Sequence, residues 1–210
     1  VVDLTALVTL FGAYDLVPAQ TFTKRGIAKK VVRTGYKFFN QKRSPFFGGL
    51  LGVEVKWLRG PTAFYRIKHR LRSVTLYYRA EIDNLLVVGA SNRTEYLTGF
   101  FVKHGDPSAD VLPLLPLYKT QVRELARYLG IPGPIVAKPP SPDLIPGITD
   151  ELALGLSYSK LDLVLWGLEN GMTSKEIAME GEVSVERVEY VRELVRRSEH
   201  MRNLPMRPEV

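Results

Sequence analysis

LLVVGASNRTEYLTGFFVKHGDPSAD, residues 85–110, decides the fold expected of this chain. Leu85 to Val88 is an all-apolar run of β-formers, the pattern of a strand buried on both faces of a parallel sheet. The run stops at Gly89, and the polar segment beyond it carries Glu95, then Lys103, then Asp106 and Asp110. In an open α/β sheet, ligands bind in the crevice beyond the carboxyl ends of the strands. A carboxylate and a lysine at such an edge suit a phosphate with its magnesium, because Mg²⁺ takes one or two protein carboxylates plus phosphate oxygens.

On either side of this stretch the patterning is helical. Residues 65–81 place Ile67, Leu71, Val74 and Tyr78 on one face, and Asn84 turns the chain into the strand. A short helix is expected over 93–101, then a proline-punctuated loop over 106–116. Lys119 opens a helix with Val122, Leu125, Ala126 and Leu129 inward, which Gly130 and Pro132 stop. A second loop is expected over 134–150, and helices over 158–169, 173–180 and 184–199. At the other end, Asp3 caps a helix through residues 4–14. Residues 16–62 are irregular, aromatic and basic, and read as an insertion. These elements predict one domain over 1–210 of the α/β class: a Rossmann-like parallel sheet flanked by helices, its N-terminal strands missing, with a helical C-terminal portion.

The net charge of +7 is uneven: residues 21–80 hold 15 Lys/Arg against Glu54 alone. Such a block attracts polyanions, either nucleotide phosphate or nucleic acid, unless it is a solvated basic surface. No run of 18 apolar residues occurs, which argues against a transmembrane span. The absence of cysteine excludes disulfides and fits a reducing cytosol, so a cytoplasmic protein is expected. The chain opens on Val1 rather than methionine, which suggests a fragment or a processed chain.

The 85–110 stretch resembles the NAD synthetase segment that reads roughly GTSNKSE…GYFTKYGDGGVD. The similarity runs from KHRLRSVTLYYRAE (68–81) through LPLLPLYKTQVRELARYLGIP (112–132) and KPPSPDLIPGITDELALGLSYSKLD (138–162) to HMRNLP (200–205). The family loop SGGxDS, whose backbone N–H groups cradle pyrophosphate, does not occur in the sequence. The resemblance therefore implies the C-terminal two-thirds or more of a synthetase. Its implied activity is amidation of nicotinic acid adenine dinucleotide to NAD: ATP adenylates the nicotinate carboxylate, and ammonia, free or derived from glutamine by a missing domain, displaces AMP.

The resemblance also implies roles for single residues. Glu95 takes the position of the magnesium ligand; its structural alternative is a glutamate favoured at a helix N-terminus. Lys119 matches the lysine on ATP phosphate, and Ala90 and Ser141 fall at ATP-contacting positions. Arg70, Lys103, Asp110 and His200 match the dinucleotide-binding positions. Ala90 replaces a threonine, Pro107-Ser108 replaces Gly-Gly, and Met201 replaces a lysine for which Arg202 is expected to compensate. His69 and His104 are read as structural, and Asp106 as shaping a turn. A homodimer is implied; a membrane partner is not.

Rival readings come from other classes. Residues 171–202 have a helix–turn–helix cadence, but Glu186, Glu189, Glu193 and Glu199 offset the arginines of the second helix, which is poor for a phosphate-rich partner. A helical hairpin packed on the core is the favoured alternative there. A related adenylating enzyme acting on another substrate, or a non-catalytic relative that binds dinucleotide or dimerises, would share the same motifs.

Overall fold

The computed structural model describes residues 59–141 and 148–203. These form α1 (Arg59–Asp83), α2 (Arg93–Thr98), α3 (Lys119–Tyr128), α4 (Gly133–Val136), α5 (Asp150–Leu154), α6 (Tyr158–Glu169), α7 (Ser174–Glu180), α8 (Val185–Arg197) and α9 (Glu199–Arg202). The expected helix over 4–14 and the expected insertion up to residue 58 lie outside the described residues. Residues 59–62, also assigned to that insertion, belong to α1.

The expected parallel sheet is not what these residues form; the described residues are helical. Residues 85–88 make one isolated parallel bridge, Val88 to Val111. Val87 O accepts from the N–H groups of Asp110 (2.9 Å) and Val111 (3.3 Å), and Gly89 N–H donates to Val111 O (2.9 Å). Beyond this point the two segments part. Leu85, Leu86 and Val88 stay 64%, 71% and 64% exposed, and only Val87 is buried. An apolar run becomes a buried strand when neighbours flank it on both sides, and among the described residues it has only the single bridge to Val111.

The inward stripe of α1 also differs from the expected one. Val74 and Tyr78 are exposed, whereas His69, Ser73 and Ala80 are buried. The reason is polar docking on the 102–110 loop. His69 Nδ1 pairs with Asp106, Ser73 Oγ donates to Gly105 O at 2.7 Å, and Tyr77 OH donates to Asp110 at 3.2 Å. Positions 69, 73 and 77 recur every four residues and so share one helix face.

The hydrophobic core lies toward the C-terminus. Leu161, Val164 and Leu165 of α6 meet Ile177 of α7 and Val188, Val191 and Leu194 of α8, all nearly inaccessible. Burying each such side chain stabilises the fold by about 1.5–3 kcal/mol. At Gly167 a Cβ would lie 2.6 Å from Ile177 Cγ1, so glycine permits the close approach of α6 and α7. Thr173 and Glu176 cap α7 reciprocally. The 171–202 segment therefore packs its apolar face inward, as a structural hairpin does. No helix among the described residues is long and apolar enough to cross a membrane.

The C-terminus of α2 is closed by the far end of the chain. Gly99 caps it with φ of 67°, and a Cβ there would land on the side chain of the fully buried Ser198. Ser198 Oγ donates to Leu97 O at 3.1 Å. Gly99→Ala is expected to cost about 2–3 kcal/mol through left-handed strain plus overpacking. Thermal melts should then show a fall in Tm of roughly 4–10 °C; an unchanged Tm would mean that Ser198 yields freely.

Candidate active site

Glu95 and Lys119 come from different helices and meet at the starts of both. Asn92 Oδ1 accepts from Glu95 N–H at 3.0 Å, while Glu95 Oε2 accepts from Asn92 N–H at 3.3 Å, a capping box that fixes the glutamate. Its other oxygen, Oε1, lies 3.0 Å from Lys119 Nζ, with both side chains about four-fifths buried. A lysine in the first turn of a helix opposes the macrodipole. The Glu95 carboxylate offsets that here.

The geometry of the pair depends on a third helix. Asp162 of α6, 5% exposed, accepts from Thr94 Oγ1 at 2.6 Å and from Thr120 N–H at 2.8 Å. Thr94 Oγ1 in turn accepts from Lys119 N–H at 2.9 Å. The Lys119 and Thr120 N–H groups at the start of α3 are thus satisfied by side chains of α2 and α6, while the Tyr118 N–H before them donates locally to Gln121 Oε1 at 2.9 Å. Burial raises the Asp162 carboxyl above its usual range despite these hydrogen bonds.

Tyr158, fully buried at the start of α6, lies beneath the pair. The Lys119 ammonium stands 5.6 Å from its ring centroid and the Arg123 guanidinium 5.5 Å, a cation–π arrangement. Its hydroxyl donates to Asp150 Oδ2 at 2.8 Å. Burial, reinforced by the Asp150 charge, raises the phenol strongly. Burial also raises the Asp150 carboxyl, against the opposing pull of Tyr158 and Lys119. Ser141 Oγ donates to Ile148 O at 3.1 Å and Asp150 N–H to Pro140 O at 3.1 Å, so Ser141 sits beside Asp150. Ala90 is exposed, two residues before the Asn92 cap.

Three of the four residues assigned to a dinucleotide come together. Arg70 Nε donates to Lys103 O at 3.2 Å, and Lys103 Nζ donates to His200 O at 2.7 Å and to Asn203 O at 3.3 Å. His200 Nδ1 is 3.0 Å from Arg197 O. Asp110 stands apart, its oxygens taken by Tyr77 OH and by Val87 N–H (2.7 Å). Arg202 does not project as a free cation. It is half-buried, donating to Leu97 O and to Val195 O (2.9 Å), where burial lowers its guanidinium.

Thr94, Asp150, Tyr158 and Asp162 are not among the residues expected at the site, and His69 and Asp106, expected as structural and turn-shaping residues, prove to be partners. One signal was available. Tyr158 and Asp162 are polar groups at i and i+4 on the inward face of an otherwise apolar helix, where an unpaired acid would be costly. Asp106 had no comparable signal, because its partner lies 37 residues away.

A carboxylate–lysine pair of this kind can take a hard cation on the acid and a phosphate oxygen on the amine, which is chemistry of nucleotide-using enzymes. A family model described as NAD synthase matches residues 61–205. The NH3-dependent NAD(+) synthetase of Coprothermobacter proteolyticus is 43% identical over 187 residues, covering 84% of this chain and 61% of that protein. That of Thermotoga maritima is 41% identical over 204 residues, covering 97% and 70%. A solved structure of NMN synthetase from Francisella tularensis superposes with a TM-score of 0.61 at 35% identity, over 71% of this chain and 58% of that one. The chain belongs to the NAD synthase family. It spans about three-fifths to seven-tenths of the length of these curated relatives.

Two outcomes follow from the site geometry. Asp162→Ala strands the Thr94 hydroxyl and the Thr120 N–H, at about 1–3 kcal/mol each; chemical denaturation should report a loss of about 2–6 kcal/mol in all, and a silent variant would show that water replaces the carboxylate. The second concerns acid. Burial raises the Asp106 carboxyl, but the hydrogen bonds from His69 and Val102 N–H outweigh it and hold the group below its usual range. That contribution is present above about pH 4 and is lost as pH falls through the depressed value. Asp106→Asn should therefore destabilise at pH 7 and progressively less below pH 4; an equal effect at both would remove the charge from the account.

Proposed function

We propose that this chain carries the synthetase core that amidates nicotinic acid adenine dinucleotide to NAD with ATP and ammonia. The observation that carries the reading is the Glu95–Lys119 contact of 3.0 Å, which joins the two positions assigned by resemblance to metal and to ATP phosphate. A carboxylate is a poor acylating agent. Transfer of AMP to it releases pyrophosphate and creates a good leaving group, and ammonia then attacks the acyl carbon and expels AMP.

The described residues hold no group of three His, Cys, Asp or Glu side chains arranged to hold a metal ion. The donor set suits an ion held by one carboxylate together with nucleotide phosphate oxygens, as Mg²⁺ is. Glu95 is the residue that would hold it, and the ion when bound would neutralise phosphate charge. Lys119 would bind the phosphates, with Ser141 and the backbone at Ala90 beside the nucleotide. Arg70, Lys103 and His200 would face the dinucleotide pyrophosphate, where Lys103 has a third N–H beyond the two it gives to carbonyls of the described residues. Asp110 retains lone pairs for a ribose hydroxyl or an adenine amine. Positioning and fixed charge supply the rate. A homodimer is part of this reading by family resemblance.

The test uses the full protein with ATP, Mg²⁺, an ammonium salt and the dinucleotide, following NAD, AMP and pyrophosphate. All three should appear in equal amounts. Lys119→Ala and Glu95→Gln should each lower the rate by roughly 10³-fold, and near-normal rates would remove them from the mechanism. The Francisella relative is named for a mononucleotide product. Nicotinate mononucleotide is therefore the competitor: a tenfold preference for it would reassign the substrate.

A further inference from the structure

Lys119 has two carboxylates near it, and its ammonium is engaged by one. Glu95 Oε1 accepts from it at 3.0 Å. Asp150, 5% exposed, commits Oδ2 to the Tyr158 hydroxyl at 2.8 Å, and its Oδ1 is buried without a hydrogen-bond partner among the described residues. An orphaned buried acceptor costs about 1–3 kcal/mol, and more when charged. The nearby charged groups are Lys119, Glu95 and Arg123. Lys119 stands over the face of the same Tyr158 ring whose hydroxyl holds Asp150.

Resting on the function proposed above, we propose that Asp150 is a positioning residue whose Oδ1 takes the Lys119 ammonium when Glu95 turns to the nucleotide's metal ion. The need for a second acceptor follows from charge. A carboxylate oxygen that coordinates a divalent ion is a weak partner for an ammonium, and Lys119 would otherwise be left at the positive end of α3 with the dipole against it. The Tyr158–Asp150 hydrogen bond fixes both the carboxylate and the ring along which the ammonium moves. Lysine suits such an exchange, because its ammonium has three donors on a flexible stem and can hold a phosphate oxygen and Asp150 together.

Glu95→Ala in the full protein mimics a glutamate committed elsewhere. Its crystal structure should place Lys119 Nζ about 3 Å from Asp150 Oδ1; a lysine in solvent, or Arg123 in its place, would overturn the proposal. Melting temperatures give a second readout through the cycle of Lys119→Met and Asp150→Asn. Their coupling should be small in the parent and at least about twofold larger on the Glu95→Ala background, whereas equal or absent coupling in both rejects the exchange. Asp150→Asn should also raise the KM for ATP about tenfold while leaving the KM for ammonia alone. If the coupling appears and the ATP KM does not move, the exchange stands and the assignment of ATP to this site falls.

Discussion

The Asp162 carboxylate is the contact on which the rest of the arrangement depends. One buried acid on α6 orders the hydroxyl of α2 and the first N–H groups of α3, so three helix starts are locked at one point. Its two acceptor oxygens meet two donors, which is why a charge can be tolerated at 5% exposure. Glu95 and Lys119 project from the helix starts that this acid fixes. The distance between them is therefore a property of the clamp as much as of the pair itself. The neighbouring Arg93–Glu169 ion pair, with Tyr118 OH donating to the same glutamate, ties the opposite end of α6 to α2 and α3. Burial and that glutamate push the Tyr118 phenol up to about 12, so the contact persists across the neutral range.

Around Tyr158 the charges are nearly balanced but unevenly partnered. Glu95, Asp150 and Asp162 supply three carboxylates on its surroundings, while Lys119 and Arg123 share the face of its ring. Both raised acids, Asp150 and Asp162, are more easily protonated in the fold than in the open chain, and burial is the leading reason in each case. Their ionised forms are thus held at a cost in stability at neutral pH, a pattern that marks sites more often than cores.

Much of the helical organisation was legible in the sequence, because a 3.6-residue apolar pattern reports its own burial. The hairpin at 173–199 is the clearest case: Ile177, Val188, Val191 and Leu194 are the residues its pattern would bury, and they are buried. The 85–88 run shows the limit. Four β-formers in a row state a local preference, but whether they enter a sheet depends on strands elsewhere, and the described residues supply one bridge. The α1 stripe failed for a related reason. Hydrophobic period predicted Val74 and Tyr78 inward, while three polar contacts to a loop turned the helix the other way. Glu95 was read structurally only as a glutamate favoured at a helix N-terminus; the capping box with Asn92 was not foreseen, and it coexists with the lysine contact. Asp150 was hidden because the chain around it was read as loop.

The closure of α2 by Ser198 and Arg202 has a consequence in time. Leu97 O receives its donors from residues 101 and 105 positions further along the chain, and Thr94 meets Asp162 across 68 positions. Contacts of such separation form slowly, since the intervening chain must first be ordered. During synthesis, which runs from the N-terminus at about 5–20 residues per second, Glu95 leaves the ribosome many seconds before the residues that hold its helix in place. Until then the nascent chain displays the helix starts unclamped and the α6–α8 core unmade, and its apolar side chains stay open to a chaperone.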